Sequence, residues 1–195
     1  MDILQTLQKI GAVLKGHFLL SSGKHSDTYI QCAKIFEHPQ VAEGICKELA
    51  RKIGGSFLEE YTVVVSPAMG GIIAGYEVSR HLGVRNVFVE RVNEQFELRR
   101  GFNISRKDKV IIIEDVITTG KSTLEAIEVI KKMGGEIVGC ASIINRMTKE
   151  DIQKFPYPLC YLYKIDSQIF DANSIPKELQ KIEAVKPGSR KKPNA

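Results

Sequence analysis

The chain has 195 residues, of which 43% are hydrophobic and 26% are charged, with a formal net charge of +5. This balance excludes a disordered or fibrous protein, and the length suffices for one domain with a buried core. The segment 186–195 carries four basic residues and no acid, and without it the net charge is +1. We therefore expect a near-neutral domain at 1–185, a flexible basic tail at 186–195, and no nucleic-acid partner.

Cysteine usage and hydropathy indicate the compartment. The four cysteines, Cys32, Cys46, Cys140 and Cys160, form no C-x-x-C pair and lie at no zinc-ligand spacing from a histidine. Such scattered cysteines are typical of free thiols in a reducing cytosol. The first residues do not have the pattern of a signal peptide, and no apolar run approaches the roughly 20 residues that span a bilayer. We therefore expect a cytoplasmic protein with no membrane partner.

The first part of the chain predicts helices around a short extended region. Apolar residues at helical spacing predict an amphipathic helix over residues 2–14. Residues 16–31 predict two extended pieces around a polar loop. Pro39 begins a helix that we expect to end near Ile53, where two glycines follow.

The middle of the chain alternates short apolar strands with helices. Strands are predicted at 63–65, 86–90, 109–114 and 136–145. Helices are predicted at 71–82 and from the end of the loop 115–121 to residue 133. The charged stretch 91–107 predicts a mobile excursion or a twisted hairpin. Beyond Pro156 we expect irregular structure apart from a strand at 160–165. The alternation predicts an α/β fold with a mainly parallel sheet that helices cover on both faces.

The strongest motif follows the apolar strand at 109–114. Two carboxylates, Glu114 and Asp115, end this strand, and a loop from Thr118 to Ser122 leads into a helix. In open parallel sheets, ligands bind beyond the carboxyl ends of the strands, and helix N-termini present unpaired N–H groups to anions. The loop, Thr118-Thr119-Gly120-Lys121-Ser122, therefore suits a phosphate monoester. The acids suit the vicinal diol of a ribose or the waters of a Mg²⁺ ion, so the motif predicts a ribose 5-phosphate site.

Three other interpretations of this motif compete with a ribose 5-phosphate site. The tripeptide at 120–122 matches the end of a P-loop, but the leading glycine would fall at Asp115. A dinucleotide fold requires G-x-G-x-x-G after a strand, and the sequence contains no such motif. Ser122 and Glu125 form the pattern of a capping box, which we expect to begin the helix. Capping does not account for two acids at a buried strand end, where unpaired charge is unfavourable.

The motif from residue 110 to Ser122 resembles the signature of type I phosphoribosyltransferases, which use phosphoribosyl pyrophosphate. Further segments resemble the shorter bacterial and archaeal orotate phosphoribosyltransferases, in matching order along residues 16–189. These segments are the hood at 16–31, the pyrophosphate loop at 66–71, the catalytic loop at 97–102, the strand with the orotate-binding arginine at 141–146, and the ending at 186–189. The resemblance implies the type I fold with a small hood formed by about residues 1–35 and C-terminal pieces.

The resemblance assigns roles around the ribose and the base. Glu114 and Asp115 would bind the ribose 2- and 3-hydroxyls, and the loop Thr118–Ser122 would hold the 5-phosphate. Arg146 would pair with the orotate carboxylate, as a planar fork suited to bidentate contact. The main-chain groups that would meet the pyrimidine edge belong to Tyr29 and Ile30.

The remaining implied roles concern pyrophosphate, the leaving group. Its backbone donors would be Ala68, Met69 and Gly70, across a non-proline cis peptide bond. Longer family members carry lysines at the positions of Gly70 and Ser21, so other residues must neutralise the pyrophosphate charge here. We expect Arg99 and Arg100 to act catalytically in a loop that closes over the site, and Arg91 to bind substrate.

The resemblance implies the transfer of a phosphoribosyl group to orotate, giving orotidine 5-phosphate and pyrophosphate in pyrimidine synthesis. It also implies Mg²⁺ carried by the substrate and bridged by water to Asp115, and a homodimer with its loop shared across the interface. Two alternatives stay open. One is a phosphoribosyltransferase for a purine base, although a purine offers no carboxylate to Arg146. The other is a regulator that senses phosphoribosyl pyrophosphate while binding nucleic acid, which the near-neutral domain disfavours.

Overall fold

The computed structural model describes residues 3–20 and 22–187. They form two compact units, one comprising Ile35–Ile165 and the other lying within Met1–Lys34 and Asp166–Ala195. Position 21 and most of the tail predicted at 186–195 lie outside the described residues. No helix among the described residues has both the length and the apolar character needed to cross a bilayer.

The described residues contain nine strands and seven helices. The strands are β1 (Val13–Leu19), β2 (His25–Ile30), β3 (Val63–Pro67), β4 (Arg85–Val92), β5 (Gln95–Leu98), β6 (Lys109–Ile117), β7 (Glu136–Asn145), β8 (Leu159–Lys164) and β9 (Ile169–Phe170). The helices are α1 (Ile3–Lys9), α2 (Ala33–Phe36), α3 (Pro39–Ser56), α4 (Gly71–Leu82), α5 (Lys121–Lys132), α6 (Lys149–Lys154) and α7 (Lys177–Gln180).

The larger unit is built on a six-stranded sheet with the order β5-β4-β3-β6-β7-β8. Neighbouring strands are parallel, except that β4 and β5 form an antiparallel hairpin at one edge. The predicted α/β fold with a mainly parallel sheet is confirmed. Of the two predictions for 91–107, the hairpin is confirmed.

Helices cover the central strands of this sheet on both faces. The crossover from β3 through α4 leads to β4 on one side, and the crossover from β6 through α5 leads to β7 on the other. Because such crossovers are right-handed, these opposite directions place α4 and α5 on opposite faces of the sheet. The side chains of β6 from Val110 to Ile113 are accordingly fully buried, which explains their uniformly apolar sequence.

Two predicted helix ends are wrong. The first helix ends at Lys9 and not at residue 14, because Gly11 adopts a left-handed conformation with φ +74° and the chain then enters β1. The third helix continues beyond Ile53 to Ser56, through both glycines. Glycine weakens a helix but does not stop one whose inner face is buried, as this face is.

Short elements near the C-terminus are absent from the sequence prediction. They are α6, β9 and α7, each of six residues or fewer. Helical or strand periodicity is not detectable over such lengths. In the smaller unit, β1, β2 and β9 form an antiparallel sheet. Val185 extends it, because its N–H donates to the His17 carbonyl and its carbonyl accepts from the Leu19 N–H, both at 2.9 Å.

Candidate active site

The carboxyl ends of β3 and β6 are neighbours at one edge of the parallel sheet. The chain leaves β3 toward one side and β6 toward the other, so the direction of winding reverses between them. In open α/β sheets this reversal opens a crevice in which ligands bind. The loops that border the crevice are residues 68–70 after β3 and residues 118–120 after β6.

The two acids at the end of β6 point to opposite faces of the sheet, as successive strand residues do. Glu114 faces α5, because its Oε1 accepts a hydrogen bond from Oγ1 of buried Thr123 at 3.3 Å. Asp115 faces the loop after β3, since a Cβ atom at Gly70 would lie 2.7 Å from both of its carboxylate oxygens. One Asp115 oxygen also accepts from the Val116 N–H at 2.9 Å. Glu114 therefore lies on the α5 side of the crevice, and Asp115 lies on the side of the loop after β3.

Burial changes the acidity of both carboxyl groups. It raises the pKa of Glu114 to about 8, with a further increase from the neighbouring Asp115 charge and a decrease from the Thr123 hydrogen bond. Burial also raises the pKa of Asp115 above its usual value, against the hydrogen bond from Val116. A carboxyl group that is still protonated near neutral pH can both donate and accept hydrogen bonds. Glu114 can therefore bind a hydroxyl group either as donor or as acceptor.

The loop from Thr118 to Ser122 encloses a small polar cavity of about 100 Å³ with Glu114 at its base. The hydroxyl-bearing residues Thr118, Thr119 and Ser122 are exposed, and the Lys121 N–H donates to Oγ1 of Thr119 at 3.3 Å. The first turn of α5 adds N–H groups that have no acceptor within the helix. Hydroxyl donors and helix N–H groups around a small cavity are a suitable cradle for a phosphate group.

The start of α5 corrects one sequence prediction. The N-cap is Gly120, with φ +78°, and no side chain caps the helix. Ser122 and Glu125 therefore do not form the predicted capping box. The carboxylate of Glu125 instead pairs with Arg91 and, at 3.8 Å, with Lys121. The N-cap lies two residues before the expected one, because Gly120 can adopt the left-handed conformation that turns the chain into the helix.

The loop after β3 is held close to the sheet. The Ala68 N–H donates to the Val89 carbonyl at 2.7 Å, and the bond between Ala68 and Met69 is cis, as the family resemblance implies. A Cβ atom at Gly71 would be 3.0 Å from the Ile113 carbonyl, so α4 begins in close contact with β6. Met69 is 84% exposed, which leaves this turn open toward solvent.

The three loop arginines divide into two groups. Arg91 pairs with Glu125, donates to the Glu94 carbonyl at 2.5 Å and lies 4.1 Å from the centre of the Phe96 ring. Its guanidinium group therefore links the hairpin to α5. Arg99 and Arg100 instead share the carboxylate of Glu90.

Glu90, on β4, is the common partner of Arg99 and Arg100. Nη2 of Arg100 donates to Glu90 at 2.9 Å, and Nη1 of Arg99 lies 3.9 Å from the same carboxylate. Both arginine side chains are more than half exposed, whereas that of Glu90 is 20% exposed. The two guanidinium groups are therefore gathered beside β4, just after the end of β5, where an anion from solvent can reach them.

Residues 32–160 match the family model described as the phosphoribosyl transferase domain. A curated protein named orotate phosphoribosyltransferase, from Caldanaerobacter subterraneus subsp. tengcongensis, is 44% identical over 189 residues and covers 97% of this chain and 97% of its own. The chain belongs to the orotate phosphoribosyltransferase family. A second protein of this name, from Campylobacter jejuni subsp. jejuni, is 44% identical over 201 residues, with coverages of 97% and 99%. The crystal structure of orotate phosphoribosyltransferase from Aeropyrum pernix shares the fold, with a TM-score of 0.71 and 23% identity over 84% of this chain and 93% of that one.

The structure brings most of the residues implied by the orotate phosphoribosyltransferase resemblance to one unit. The two acids, the loop Thr118–Ser122, the turn at 68–70 and Arg146 all lie at the carboxyl edge of the large sheet. Half-buried Arg146 follows β7, and its N–H donates to the Ile117 carbonyl at 2.8 Å, directly before the loop. Tyr29 and Ile30 are half-buried on β2 of the smaller unit.

Two residues that the sequence analysis did not single out contact the predicted site residues. Thr123 holds the carboxyl group of Glu114, and Glu90 holds Arg99 and Arg100. No sequence motif marks either residue. The position of Thr123 one residue after the phosphate-binding pattern is a weak indication. In the sequence, nothing distinguishes Glu90 from the neighbouring acids Glu94 and Glu97.

Proposed function

We propose that this chain transfers the phosphoribosyl group of phosphoribosyl pyrophosphate to orotate, giving orotidine 5-phosphate and pyrophosphate. The observation that carries the proposal is the position of Asp115. Its carboxylate lies against Gly70 of the turn after β3, and the loop Thr118–Ser122 begins three residues beyond it. A carboxylate between two anion-binding loops matches a sugar that carries phosphate groups at both ends.

Each part of the sugar phosphate then has a place. Asp115 and Glu114 accept hydrogen bonds from the ribose 2- and 3-hydroxyls, and the loop Thr118–Ser122 holds the 5-phosphate. The backbone of the turn at 68–70 meets the pyrophosphate. The small polar cavity within the loop supports this assignment, because it is too small for a base and has the donors that a phosphate group needs.

The reaction requires no nucleophilic side chain. N1 of orotate loses its proton to solvent and donates an electron pair to C1 of the ribose. The bond from C1 to the pyrophosphate oxygen breaks, and its electron pair leaves with pyrophosphate. Positive charge develops on the ribose ring and negative charge on the leaving group. Orientation of the reactants and fixed charges therefore supply the catalysis. Arg99 and Arg100 stabilise the leaving group once they exchange Glu90 for pyrophosphate.

Base recognition is assigned to Arg146. Orotate differs from uracil by a carboxylate, and a guanidinium group binds a carboxylate through two parallel hydrogen bonds. Support comes from the backbone hydrogen bond between Arg146 and Ile117, which fixes the start of the arginine beside the phosphate loop. Arg91 is a weaker candidate for substrate contact, because its donors already serve Glu125 and Glu94.

A Mg²⁺ ion carried by the substrate fits the Asp115 wall of the crevice. Carboxylate oxygen is the kind of ligand that Mg²⁺ prefers, and Mg²⁺ commonly keeps several waters and binds through one or two carboxylates. Asp115 would hold the ion through a bridging water. When bound, the ion offsets negative charge on the departing pyrophosphate.

We also propose a cytoplasmic homodimer that shares the catalytic loop. The free, buried thiols of all four cysteines support a reducing compartment. Support for the dimer comes from the exposed apolar side chains Met69, Ile73 and Tyr76, which lie along the start of α4. Ile73 and Tyr76 border a concavity of about 410 Å³ between α3 and α4. Since Met69 belongs to the pyrophosphate turn, a partner on this face would lie near the site.

Reactions with four different bases test the proposed activity directly. The protein is mixed with phosphoribosyl pyrophosphate and Mg²⁺, and orotate, uracil, hypoxanthine and adenine are offered in separate reactions. We expect nucleotide and pyrophosphate from orotate alone. Turnover of a purine base would contradict the proposal, and so would the absence of turnover with orotate.

A further inference from the structure

Gly120, in the middle of the loop Thr118–Ser122, lies directly on an aromatic ring. A Cβ atom at this position would be 2.8 Å from Cε2 and 3.2 Å from Cδ2 of Phe155, and 3.6 Å from Cε of Met147. The glycine also has φ +78°, a conformation that L side chains rarely adopt. The path of the loop is therefore fitted to these two side chains.

Phe155 and Met147 are themselves held in place by the segment that follows β7. The Met147 N–H donates to Oδ1 of Asn145 at 2.7 Å, and the Met147 side chain is buried. Thr148 and Asp151 form a complete capping box that begins α6, and Phe155 directly follows the last residue of this helix. A capped helix between a fixed turn and Phe155 gives the ring a defined position.

The ring of Phe155 contacts the protein on two sides. It is half-buried and packs against a core cluster to which strands β3 to β7 and α5 contribute. Its edge approaches Tyr157, with ring centres 6.5 Å apart. Gly120 approaches the Cδ2 and Cε2 atoms of the same ring, so Phe155 contacts both the loop and the core.

We propose that Phe155 is a positioning residue for the 5-phosphate, which acts through Gly120. The inference rests on the proposed role of the loop Thr118–Ser122. If the ring is removed, the loop can move toward the vacated space, because the contact that limits its approach is lost. The N–H and hydroxyl donors then move away from the phosphate oxygens, and displacements of about 1 Å are enough to weaken such contacts strongly. The pyrophosphate turn, on the β3 side of the crevice, is not affected.

Separate binding measurements with the two halves of the substrate test this inference. Titration calorimetry of Phe155→Ala is carried out with ribose 5-phosphate and with inorganic pyrophosphate, each with Mg²⁺. We expect the Kd of ribose 5-phosphate to rise about tenfold, whereas that of pyrophosphate stays within about twofold. In steady-state assays the KM for phosphoribosyl pyrophosphate should rise similarly, with kcat changed by less than about threefold.

Three further variants complete the test. Phe155→Tyr keeps the ring atoms that face Gly120 and should retain the wild-type Kd for ribose 5-phosphate. If Phe155→Ala does not fold, Phe155→Leu takes its place, and it should show a smaller loss that is still selective for ribose 5-phosphate. Tyr157→Ala removes a neighbouring ring that packs on the same core, and should lower stability without the selective loss. Equal weakening of both ligands by Phe155→Ala, or of neither, would overturn the proposal. Ser122→Ala tests the loop itself: an unchanged Kd for ribose 5-phosphate there would show that the assigned phosphate site is wrong.

Discussion

Gly70 and Asp115 occupy adjoining space, although they follow different strands of the sheet. A Cβ atom at Gly70 would lie 2.7 Å from each carboxylate oxygen of Asp115, closer than real Cβ atoms approach. The backbone of Gly70 is in an ordinary right-handed conformation, with φ −57° and ψ −41°. The position therefore excludes a side chain because of Asp115 and not because of its own dihedral angles.

Gly70→Ala is expected to displace the Asp115 carboxylate. The added methyl group would overlap the two carboxylate oxygens, and these are the movable end of the Asp115 side chain. We expect the KM for phosphoribosyl pyrophosphate to rise about tenfold or more, since the sugar hydroxyls lose their aligned acceptor. The melting temperature should change by only a few degrees, because the added methyl group lies at the edge of the crevice. Steady-state kinetics and thermal unfolding check both parts.

The matched control is Gly55→Ala in α3, where an added Cβ atom meets nothing within 4 Å. It should leave the KM unchanged and leave stability equal or slightly higher. A Gly70→Ala enzyme with wild-type kinetics would show that Asp115 does not contact the sugar.

The pattern of apolar runs predicts the sheet edge at which the site lies. The run from Val110 to Ile113 identifies β6, and alternating strands and helices then place the loops after β3 and β6 at one edge. The acids and the phosphate loop are therefore predictable from sequence. The hairpin in the excursion is less so, because its strands are short and charged.

The contacts that shape the site are not predictable in the same way. Gly70 meets Asp115, Gly120 meets Phe155, and Arg100 meets Glu90 only because separate elements of the fold converge. A glycine carries no side chain whose chemistry would indicate its neighbour. A carboxylate in a charged loop has many oppositely charged candidates in sequence, and only the folded backbone selects one.

Stability of the ligand-free protein should depend on the protonation of Glu114. Its pKa is about 8 in the folded protein and near 4.5 when exposed, so the folded state binds the proton more tightly. The resulting stabilisation is fully present below about pH 4.5 and is lost as the pH rises through about 8. Glu114→Gln keeps the neutral shape, and should therefore be more stable than wild type near pH 8.5, by on the order of 3 kcal/mol, but not near pH 5.

Urea denaturation at pH 5, 7 and 8.5, without Mg²⁺, measures this difference. Glu60→Gln alters an exposed glutamate and should follow the wild-type curve at each pH. A Glu114→Gln variant whose stability advantage does not grow with pH would contradict the assignment of a neutral, buried Glu114.

Glu90 should compete with pyrophosphate for Arg99 and Arg100. Glu90→Gln removes the charge but keeps a side chain of similar shape, so the two arginines become available without first breaking an ion pair. Because exposed ion pairs contribute at most about 1 kcal/mol, we expect inorganic pyrophosphate to bind about two- to fivefold more tightly. Calorimetric titration at low and high salt measures the gain, which should shrink as salt rises. The control is Glu60→Gln, an exposed glutamate outside the hairpin and the catalytic loop, which should leave the affinity unchanged. Weaker binding in Glu90→Gln would mean that Glu90 orients the arginines for pyrophosphate and does not compete with it.

Arg146 should determine affinity for orotate far more than for phosphoribosyl pyrophosphate. Arg146→Ala removes the bidentate partner of the carboxylate, whereas the backbone hydrogen bond from residue 146 to Ile117 remains possible for alanine. Loss of a charge-assisted pair predicts an increase in the KM for orotate of about 10- to 100-fold, with less than about threefold change for the other substrate. Arg146→Lys should recover only part of the loss, because an ammonium group cannot reproduce the planar fork.

Arg51→Ala, which removes an exposed guanidinium paired with Glu48 on α3, serves as the control and should leave both KM values unchanged. Equal increases in the KM values for the two substrates in Arg146→Ala would show that the arginine has a structural role and does not recognise the base.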